Sequence, residues 1–449
     1  MIQKLKERRL LVIIVVLCLL ISIITLIGMR IKKSSMIEID GKLSSSDPEF
    51  KIALEKQFAD GVELLNVVKE DEGQNNKDFV RTETENTLAI PYKKEDEDRP
   101  LGLLIMKKEK ADWVEMQNIK LLGESFDEIR LKDIDNDGID EIIIGTSASK
   151  NSTNSVKVFK MIEKVYVKVF DDVYEKMFID DFDIRLKDGL VTVKKDPNNN
   201  SLTLNSFNFL KNKEVKNSKV RIGNIDDDIS IKLSRLNSKR KGLIVQKMLD
   251  EKKGEINIYL VDDGKLILTP IDGKNSLINQ YYIEVNDMND DKIADIPVLK
   301  QTYSGVSTDS SKPPYIIYWS TFDDNFELQT IFREYRSEEN KFSFTIDNAW
   351  GENVDVKEKR EEDSDKNMVY FDTFDDNGNY KNKIAIGIYS VQEWLRKIPS
   401  ETEARDNIIF KTEDKVFVLE SFSGEEGTDL KSVKSNFRVY NIESFNRDK

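Results

Sequence analysis

The chain has 449 residues, a formal net charge of −14, no histidine and one cysteine. Without histidine, Ser-His-Asp and Cys-His catalysis and histidine metal triads are excluded, and one cysteine supports neither an internal disulfide nor a thiolate zinc site. The first 33 residues hold seven of the 69 basic and one of the 83 acidic residues, which leaves 62 basic and 82 acidic residues in the body. A body this acidic repels phosphate backbones, so we expect no nucleic-acid partner.

Residues 10–28, "LLVIIVVLCLLISIITLIG", carry no charge and have basic residues on both sides. As a helix at about 1.5 Å per residue they reach about 28 Å, close to the roughly 30 Å hydrocarbon core of a bilayer. The sequence therefore predicts a cytoplasmic tail (1–9), a transmembrane anchor (10–28) and a polar linker (29–50). Cleaved signal peptides have a shorter apolar run and small residues at the cleavage site. Cys18 follows Val-Val-Leu, which is no lipobox, and is interpreted as part of the helix.

The basic flanks bear on the orientation of this anchor. Four basic residues precede the apolar segment and three follow it. The slight excess at the amino terminus favours a cytoplasmic amino terminus. We therefore predict a single-pass protein of the cell membrane whose C-terminal body is extracytoplasmic.

An acidic loop lies within "LKDIDNDGIDEIIIG", residues 131–145. Counted from Asp133, carboxylates stand at positions 1, 3, 5 and 9, with Gly138 at position 6. Alternate side chains in a tight loop turn inward, glycine permits the positive φ of the turn, and position 7 can offer a carbonyl. Hard oxygen ligands of this kind suit structural Ca²⁺. The predicted ligands are Asp133, Asp135, Asp137, the carbonyl of Ile139, and Glu141.

Two alternatives apply to this loop. An EF-hand loop begins in the same way but requires Glu at position 12, where this chain has Ile144. The residues after position 9 are β-branched and indicate a buried strand, not the exiting helix of an EF-hand. The other alternative is a solvated Asp-rich turn, which would not need acids in strict alternation around a glycine.

A second copy of the pattern occurs in "DMNDDKIADIPVL". Position 6 is Lys292 here, so a loop with the same backbone would hold a non-glycine residue in the left-handed region at a cost of about 1 kcal/mol. We therefore expect this site to be the weaker of the two. Its predicted ligands are Asp287, Asn289, Asp291, the carbonyl of Ile293, and Asp295.

The motif "DIDNDGIDEIIIG" resembles the calcium loop of FG-GAP/VCBS repeats, the blade units of integrin-α-type β-propellers. A "KADWVEM" segment at Trp113 and a "YWS" segment at Trp319 agree with this pattern in order and spacing. The resemblance covers roughly residues 75–400 and extends to anchored surface proteins of Gram-positive bacteria. It implies a mainly β fold, with a propeller of about six to seven blades at 51–340.

Fainter copies of the loop recur along the chain. Their markers are separated by steps of 50, 47, 44 and 63 residues, close to a propeller period of about 40–50 except at the last step. Only the loops at 133 and 287 keep an acid at position 9, so only these two are predicted to bind metal. Short apolar or alternating runs between the markers predict six or seven small sheets. The markers are Glu83, Asp133, Asp180, Asn224 and Asp287.

Residues 341–449 predict a separate small α+β domain. The pattern indicates about five antiparallel strands, a short helix at 391–397 and a closing helix near the end. Asn377-Gly378 lies between two strand-like runs and predicts a hairpin tip. The same reasoning places a hairpin at "VDDGKL", residues 261–266.

The leading hypothesis is a non-catalytic module, anchored in the membrane and stiffened by calcium, that binds a protein or the cell wall. The first alternative is a cell-envelope carbohydrate-active hydrolase or lyase that uses paired carboxylates. A second alternative is a sensor or assembly factor whose anchor pairs with another membrane helix, although that segment lacks a GxxxG face. No small-molecule substrate is indicated.

Overall fold

A computed structural model describes most of the chain beyond residue 86 and short stretches before it. None of the helices in the described part is long and apolar enough to cross a membrane. The predicted tail, anchor and linker (1–9, 10–28 and 29–50) lie outside the described residues. The described residues are Ala53, Lys56, 63–65, 80–82, 87–94, 100–110, 112–147, 153–182, 188–211, 215–250, 253–302, 314–360, 366–375, 378–397, 407–423 and 430–440.

The predicted mainly β fold is confirmed, because the described residues form six antiparallel sheets with few helices. The first sheet contains β1 (Glu63–Leu64), β2 (Val80–Thr82), β3 (Thr87–Lys93), β4 (Leu101–Glu109) and β5 (Asp112–Leu121). The second contains β6 (Ser125–Lys132), β7 (Glu141–Ser147), β8 (Asn154–Ile162) and β9 (Val165–Tyr174). The third contains β10 (Lys176–Asp181), β11 (Asp188–Asp196), β12 (Ser201–Phe209) and β13 (Val215–Gly223).

The remaining sheets follow in chain order. The fourth contains β14 (Ile229–Arg235), β15 (Lys241–Leu249), β16 (Lys253–Asp262), β17 (Lys265–Thr269) and β18 (Leu277–Asn279). The fifth contains β19 (Ile296–Gln301), β20 (Tyr315–Phe322), β21 (Leu328–Ser337), β22 (Phe342–Ile346) and the last strand, β28 (Phe437–Val439). The sixth contains β23 (Val354–Arg360), β24 (Asn367–Phe374), β25 (Tyr380–Ser390), β26 (Ile408–Lys411) and β27 (Lys415–Ser423). Within the described residues, the helices with defined bounds are α1 (Val391–Lys397), α2 (Leu430–Asn436) and two 3₁₀ turns, Pro197–Asn199 and Asn348–Trp350.

The sequence of each strand matches its place in its sheet. The inner strand β4 begins with an unbroken apolar run, and its first six residues are all buried. The outer strand β9 mixes exposed, half-buried and buried residues, with Tyr166 and Tyr174 buried and Val165 and Val167 exposed. An inner strand has both faces covered and both edges paired, which requires apolar side chains on both faces, whereas an outer strand needs them on one face only.

By its internal contacts the chain divides into two compact units. The first comprises the positions up to Ile179 with Leu190–Lys195 and Phe207–Asn217, and the second comprises Asp180–Gly189, Asp196–Ser206 and the positions from Ser218 onward. Each unit has its own buried apolar clusters. The largest cluster of the second unit runs from Leu236 to Phe437 in sequence and includes buried side chains of the fourth, fifth and sixth sheets.

Several local predictions are confirmed. The strands β16 and β17 form the hairpin predicted at "VDDGKL", with Asp263 and Gly264 both at positive φ (48° and 71°). The strands β24 and β25 are antiparallel neighbours on either side of the predicted Asn377-Gly378 tip. The predicted helix at 391–397 is α1. Asp-Gly and Asn-Gly pairs signal hairpins because they tolerate the left-handed conformations that tight turns require.

The described sheets are distributed differently from the prediction. Among the described residues, four sheets and all of the fifth except β28 lie between residues 51 and 346, and the sixth lies between β22 and β28 in the chain. The boundary predicted at residue 341 falls between β21 and β22, which are hydrogen-bonded neighbours in the fifth sheet. The predicted closing helix, α2, is followed by β28, which pairs with β22. Because β22 and β28 are about 95 positions apart, their pairing leaves no periodic pattern in the sequence and could not be predicted from it.

Candidate metal-binding loops

The first acidic loop joins β6 to β7, where Lys132 and Glu141 pair across the antiparallel ladder. The carboxylate of Asp133 accepts hydrogen bonds from the backbone amides of Asp137 (3.0 Å) and Gly138 (2.9 Å). Glu141 accepts a hydrogen bond from the amide of Ile134 at 3.1 Å. Carboxylates at positions 1 and 9 therefore fix the loop backbone by binding its amides.

Positions 3 and 5 of this loop complete the pattern. The amide of Asp137 also donates to the carboxylate of Asp135 (3.2 Å), and the amide of Ile139 donates to the carboxylate of Asp137 (2.9 Å). Asp135 and Glu141 are buried, with 7% and 1% of their surfaces exposed, while Asp133 and Asp137 are half-buried. Oxygens of Asp133, Asp135 and Glu141 lie within 4.8 Å of one another. The structure thus brings together three of the four carboxylates that the sequence predicted, and Asp137 shares Lys160 with Asp135.

The second acidic loop has the same hydrogen bonds at the same positions. Asp287 accepts from the amides of Asp291 (3.1 Å) and Lys292 (2.6 Å). The amide of Asp291 also donates to the side chain of Asn289 (3.1 Å), and Asp291 accepts from the amide of Ile293 (2.8 Å). The two loops therefore share one backbone conformation.

Position 9 of the second loop also corresponds to that of the first. Asp295 accepts a hydrogen bond from the amide of Met288 at 2.8 Å, as Glu141 does from Ile134. Asn286 and Asp295 form an isolated β-bridge that corresponds to the pair of Lys132 and Glu141. The ligands at positions 1, 3 and 5 of this loop, Asp287, Asn289 and Asp291, are more exposed than those of the first loop.

Both loops turn by placing positions 4 and 6 in the left-handed region. In the first loop these are Asn136 (φ 58°) and Gly138 (φ 92°), and in the second they are Asp290 (φ 61°) and Lys292 (φ 67°). The expectation that Lys292 would be left-handed if the backbones matched is confirmed. Such a residue costs about 1 kcal/mol because its Cβ approaches the following carbonyl oxygen.

We expect Lys292→Gly to stabilise the protein by up to about 1 kcal/mol, because glycine removes this steric cost. A rise in melting temperature of about 2–4 °C in chelator-treated protein would correspond to that gain. Lys292→Met is the matched control, since it removes the charge and keeps the Cβ. An equal rise in both variants would show that charge, not backbone strain, sets the cost.

A lysine that the sequence analysis did not select lies against the first loop. Lys160 of β8 donates hydrogen bonds to the carboxylates of Asp135 and, at 2.7 Å, of Asp137. Its Nζ atom also lies 3.9 Å from Oε1 of Glu141. The residue is 8% exposed. An ammonium group therefore contacts three of the four predicted carboxylate ligands.

This arrangement shifts the pKa values of the carboxyl groups in the first loop. Burial raises the pKa of Glu141 to about 8, and the nearby carboxylate of Asp135 adds to the rise against the opposing charge of Lys160. Burial also acts to raise the pKa of Asp137, but the hydrogen bonds from Lys160 and the amide of Ile139, together with the nearby positive charge, outweigh it and lower that pKa. Lys160 acts to lower the pKa values of both carboxyl groups, but burial dominates at Glu141.

No lysine or arginine in the described part of the chain forms an ion pair with the predicted ligands of the second loop. Asp295 has none of its surface exposed, and its Oδ1 atom has no hydrogen-bond partner among the described residues. Burial raises the pKa of Asp295 to about 6, and the charges of Asp291 and Asp287 contribute. A buried carboxylate oxygen without a partner is costly, and a cation in the loop would remove that cost.

The two loops therefore differ in how well they fit a calcium ion. The donor set of the second loop is made of hard oxygens, which is the chemistry that Ca²⁺ prefers, and one of these oxygens is buried without a partner. The first loop offers a similar donor set, and Oε1 of Glu141 is likewise buried without a hydrogen-bond partner among the described residues. Here, however, the ammonium of Lys160 already binds the side chains of positions 3 and 5. Ile139 and Ile293 stand at equivalent positions, each donating its amide to the carboxylate of position 5.

Carboxylates also meet in pairs outside the two loops. Asp355 and Asp372 are buried and directly opposite each other in β23 and β24, and Lys357 lies 2.9 Å and 3.4 Å from them. Asp180 and Asp181 both bind Lys241. Both of these pairs therefore have a lysine between or beside the acids. Asp180, a predicted repeat marker, is part of this ion pair and not of a loop of the acidic type.

Comparison with known proteins gives no family assignment. No family model matches the chain, and no curated protein matches it. Among solved structures it is similar to AofleA from Arthrobotrys oligospora, at 9% identity over 67% of this chain and 79% of that one, with a TM-score of 0.22. It is also similar to the exotype rhamnogalacturonan lyase YesX, at 11% identity over 70% of this chain and 74% of that one, with a TM-score of 0.23.

Proposed function

We propose that this protein is a non-catalytic binding or scaffold module, anchored in the cell membrane by residues 10–28, whose extracytoplasmic body is stiffened by structural Ca²⁺. The observation that carries the proposal is the second acidic loop. Its backbone is folded around converging oxygens, and Oδ1 of Asp295 is buried without a partner among the described residues. Without a disulfide, an exported body depends on its core and on bound ions for stability.

The proposed architecture is an FG-GAP/VCBS-type β-propeller. Support comes from the series of small antiparallel sheets, most of which consist of neighbouring strands in chain order, as the blades of a propeller do. The position of the acidic loops supports it as well, since each loop directly precedes a strand, β7 or β19, that begins with buried residues. The proposed partners are a protein or a cell-wall ligand, bound by loops that the calcium ion holds rigid.

The alternative of a carbohydrate-active hydrolase or lyase would require two carboxylates with separate roles as acid and base or nucleophile. The pair of Asp355 and Asp372 is the best match for this in the described part of the chain. However, Lys357 forms ion pairs with both acids, which suits a structural ion cluster better than an acid and a base with separate roles. We therefore favour the non-catalytic function.

Proteolysis of intact cells tests both the extracytoplasmic location of the body and its stabilisation by calcium. Cells that carry the full chain with a C-terminal epitope are stripped of their wall and treated with a protease that does not itself require calcium. We expect the epitope to be lost from the cells in chelator. At a free Ca²⁺ concentration of 100 times Kd, the loss should slow by about 100-fold, because binding stabilises the folded state by about 2.7 kcal/mol.

Asp295→Asn is the control, since it should keep the fold and lose the protection by calcium. An epitope that resists protease until the membrane is permeabilised would place the body inside the cell. Digestion at the same rate with and without calcium, in a protein that is digested from outside, would contradict the role of the ion. A cytoplasmic protein followed in the same cells verifies that the membrane stays intact.

A further inference from the structure

The two acidic loops differ at one corresponding position on the neighbouring strand. In the second sheet Ile142 pairs with Phe159, so the next residues along the ladder are Glu141 and Lys160. In the fifth sheet Ile296 pairs with Ser320, so the corresponding residues are Asp295 and Thr321. The residue opposite position 9 is thus a lysine beside the first loop and a threonine beside the second.

Lys160 lies against three of the four carboxylates that the first loop would offer to an ion. Its ammonium group donates to the side chains of positions 3 and 5 and lies 3.9 Å from the carboxylate of position 9. Ca²⁺ requires six to eight oxygens at about 2.3–2.6 Å, so it needs these same carboxylates as direct ligands. An ammonium and a divalent cation at one site would also repel each other strongly, because the site is largely buried.

At the corresponding position beside the second loop, Thr321 replaces the lysine. The hydroxyl of Thr321 lies 3.4 Å from the backbone carbonyl of Leu236 and carries no charge. No described lysine or arginine forms an ion pair with Asp287, Asp291 or Asp295. The charge that Lys160 supplies to the first loop therefore has no counterpart within the described part of the second.

We propose that Lys160 serves as the permanent cation of the first loop and excludes Ca²⁺ from it, so that ion binding is confined to the second loop. The inference rests on the proposed function, since it assigns the calcium ion to one of the two predicted sites. It also reverses the order expected from the sequence, in which Gly138 made the first loop the stronger site. The ammonium group of Lys160 outweighs the favourable glycine because it binds carboxylates that the ion would need as ligands.

The stoichiometry of calcium binding tests the inference. The full chain is purified in detergent, freed of metal, and titrated with Ca²⁺ by calorimetry and equilibrium dialysis, with circular dichroism to monitor the fold. We expect one equivalent for the wild type, none for Asp295→Asn and two for Lys160→Met. For Thr321→Lys we expect no calcium binding and no increase in stability when calcium is added.

Lys157→Met is the matched control, because Lys157 lies on the same strand and pairs with Asp171 at 3.4 Å, not with the loop. It should keep one equivalent. If Thr321→Lys fails to fold, the result for Lys160→Met still decides the role of Lys160. An unchanged stoichiometry in folded Lys160→Met overturns the inference.

Two further outcomes separate this inference from the proposed function. Two equivalents for the wild type, one lost in Asp295→Asn and the other in Glu141→Gln, would overturn the role of Lys160 and leave calcium binding in place. No binding by the wild type but one equivalent by Lys160→Met would overturn calcium as a natural ligand and leave the role of Lys160 standing. No binding by either protein would overturn both.

Discussion

Replacing Phe371 with alanine is expected to lower the free energy of unfolding by about 3–5 kcal/mol, the usual cost of removing a buried phenylalanine ring. Phe371 lies on β24 of the sixth sheet and has no exposed surface. Its ring centroid lies 4.8 Å from that of Phe344 and 5.5 Å from that of Tyr335, both of the fifth sheet. The cavity would therefore weaken the packing between two sheets, not only one.

Hydrogen exchange measured by mass spectrometry can show which strands lose stability in Phe371→Ala. We expect faster exchange in β20 and β21 as well as in β24 and β25, because the fifth and sixth sheets share one apolar cluster. Tyr370→Ala is the matched control, since Tyr370 is the preceding residue, is only half-buried, and should cost much less. Faster exchange confined to β23–β27 would show that residues beyond 341 fold as a domain of their own.

The features that the sequence predicts well are those encoded within a few positions. The acidic loop from Asp133 to Glu141 can be recognised because its acids alternate around Gly138, and the hydrogen bonds that hold it join residues no more than seven positions apart. The hairpin at Asp263-Gly264 is recognisable for the same reason, since a tight turn places its requirement on two adjacent residues. Local chemistry of this kind is visible before any pairing of strands is known.

The features that the sequence does not predict depend on strand pairing. Lys160 lies 25 positions after Asp135, within "SVKVFKMI", where it looks like any polar residue of an alternating strand. Only the register of β7 and β8 places it against the loop. The pairing of β28 with β22 could not be predicted for the same reason, because the short sequence "FRVY" does not indicate which strand it pairs with. A prediction of the metal-binding preference of each loop therefore required the tertiary structure.

Replacing Phe437 with alanine is expected to destabilise the second unit by about 3–5 kcal/mol, although the residue lies only 12 positions before Lys449. Phe437 begins β28, is 4% exposed, and its ring centroid lies 5.0 Å from those of Phe342 and Phe417. Its removal leaves a cavity between strands of the fifth and sixth sheets and weakens the pairing of β28 with β22.

Chemical denaturation followed by near-ultraviolet circular dichroism measures this loss, and Phe410→Ala provides the control. Phe410 lies near the same ring but is 46% exposed, so its replacement should cost less than about 1 kcal/mol. Since β28 completes the fifth sheet, the second unit can reach its full stability only after the C-terminal strand has been added. A variant that ends at residue 429 should therefore lose more stability than Phe437→Ala, and an equally stable truncated chain would contradict this role of the last strand.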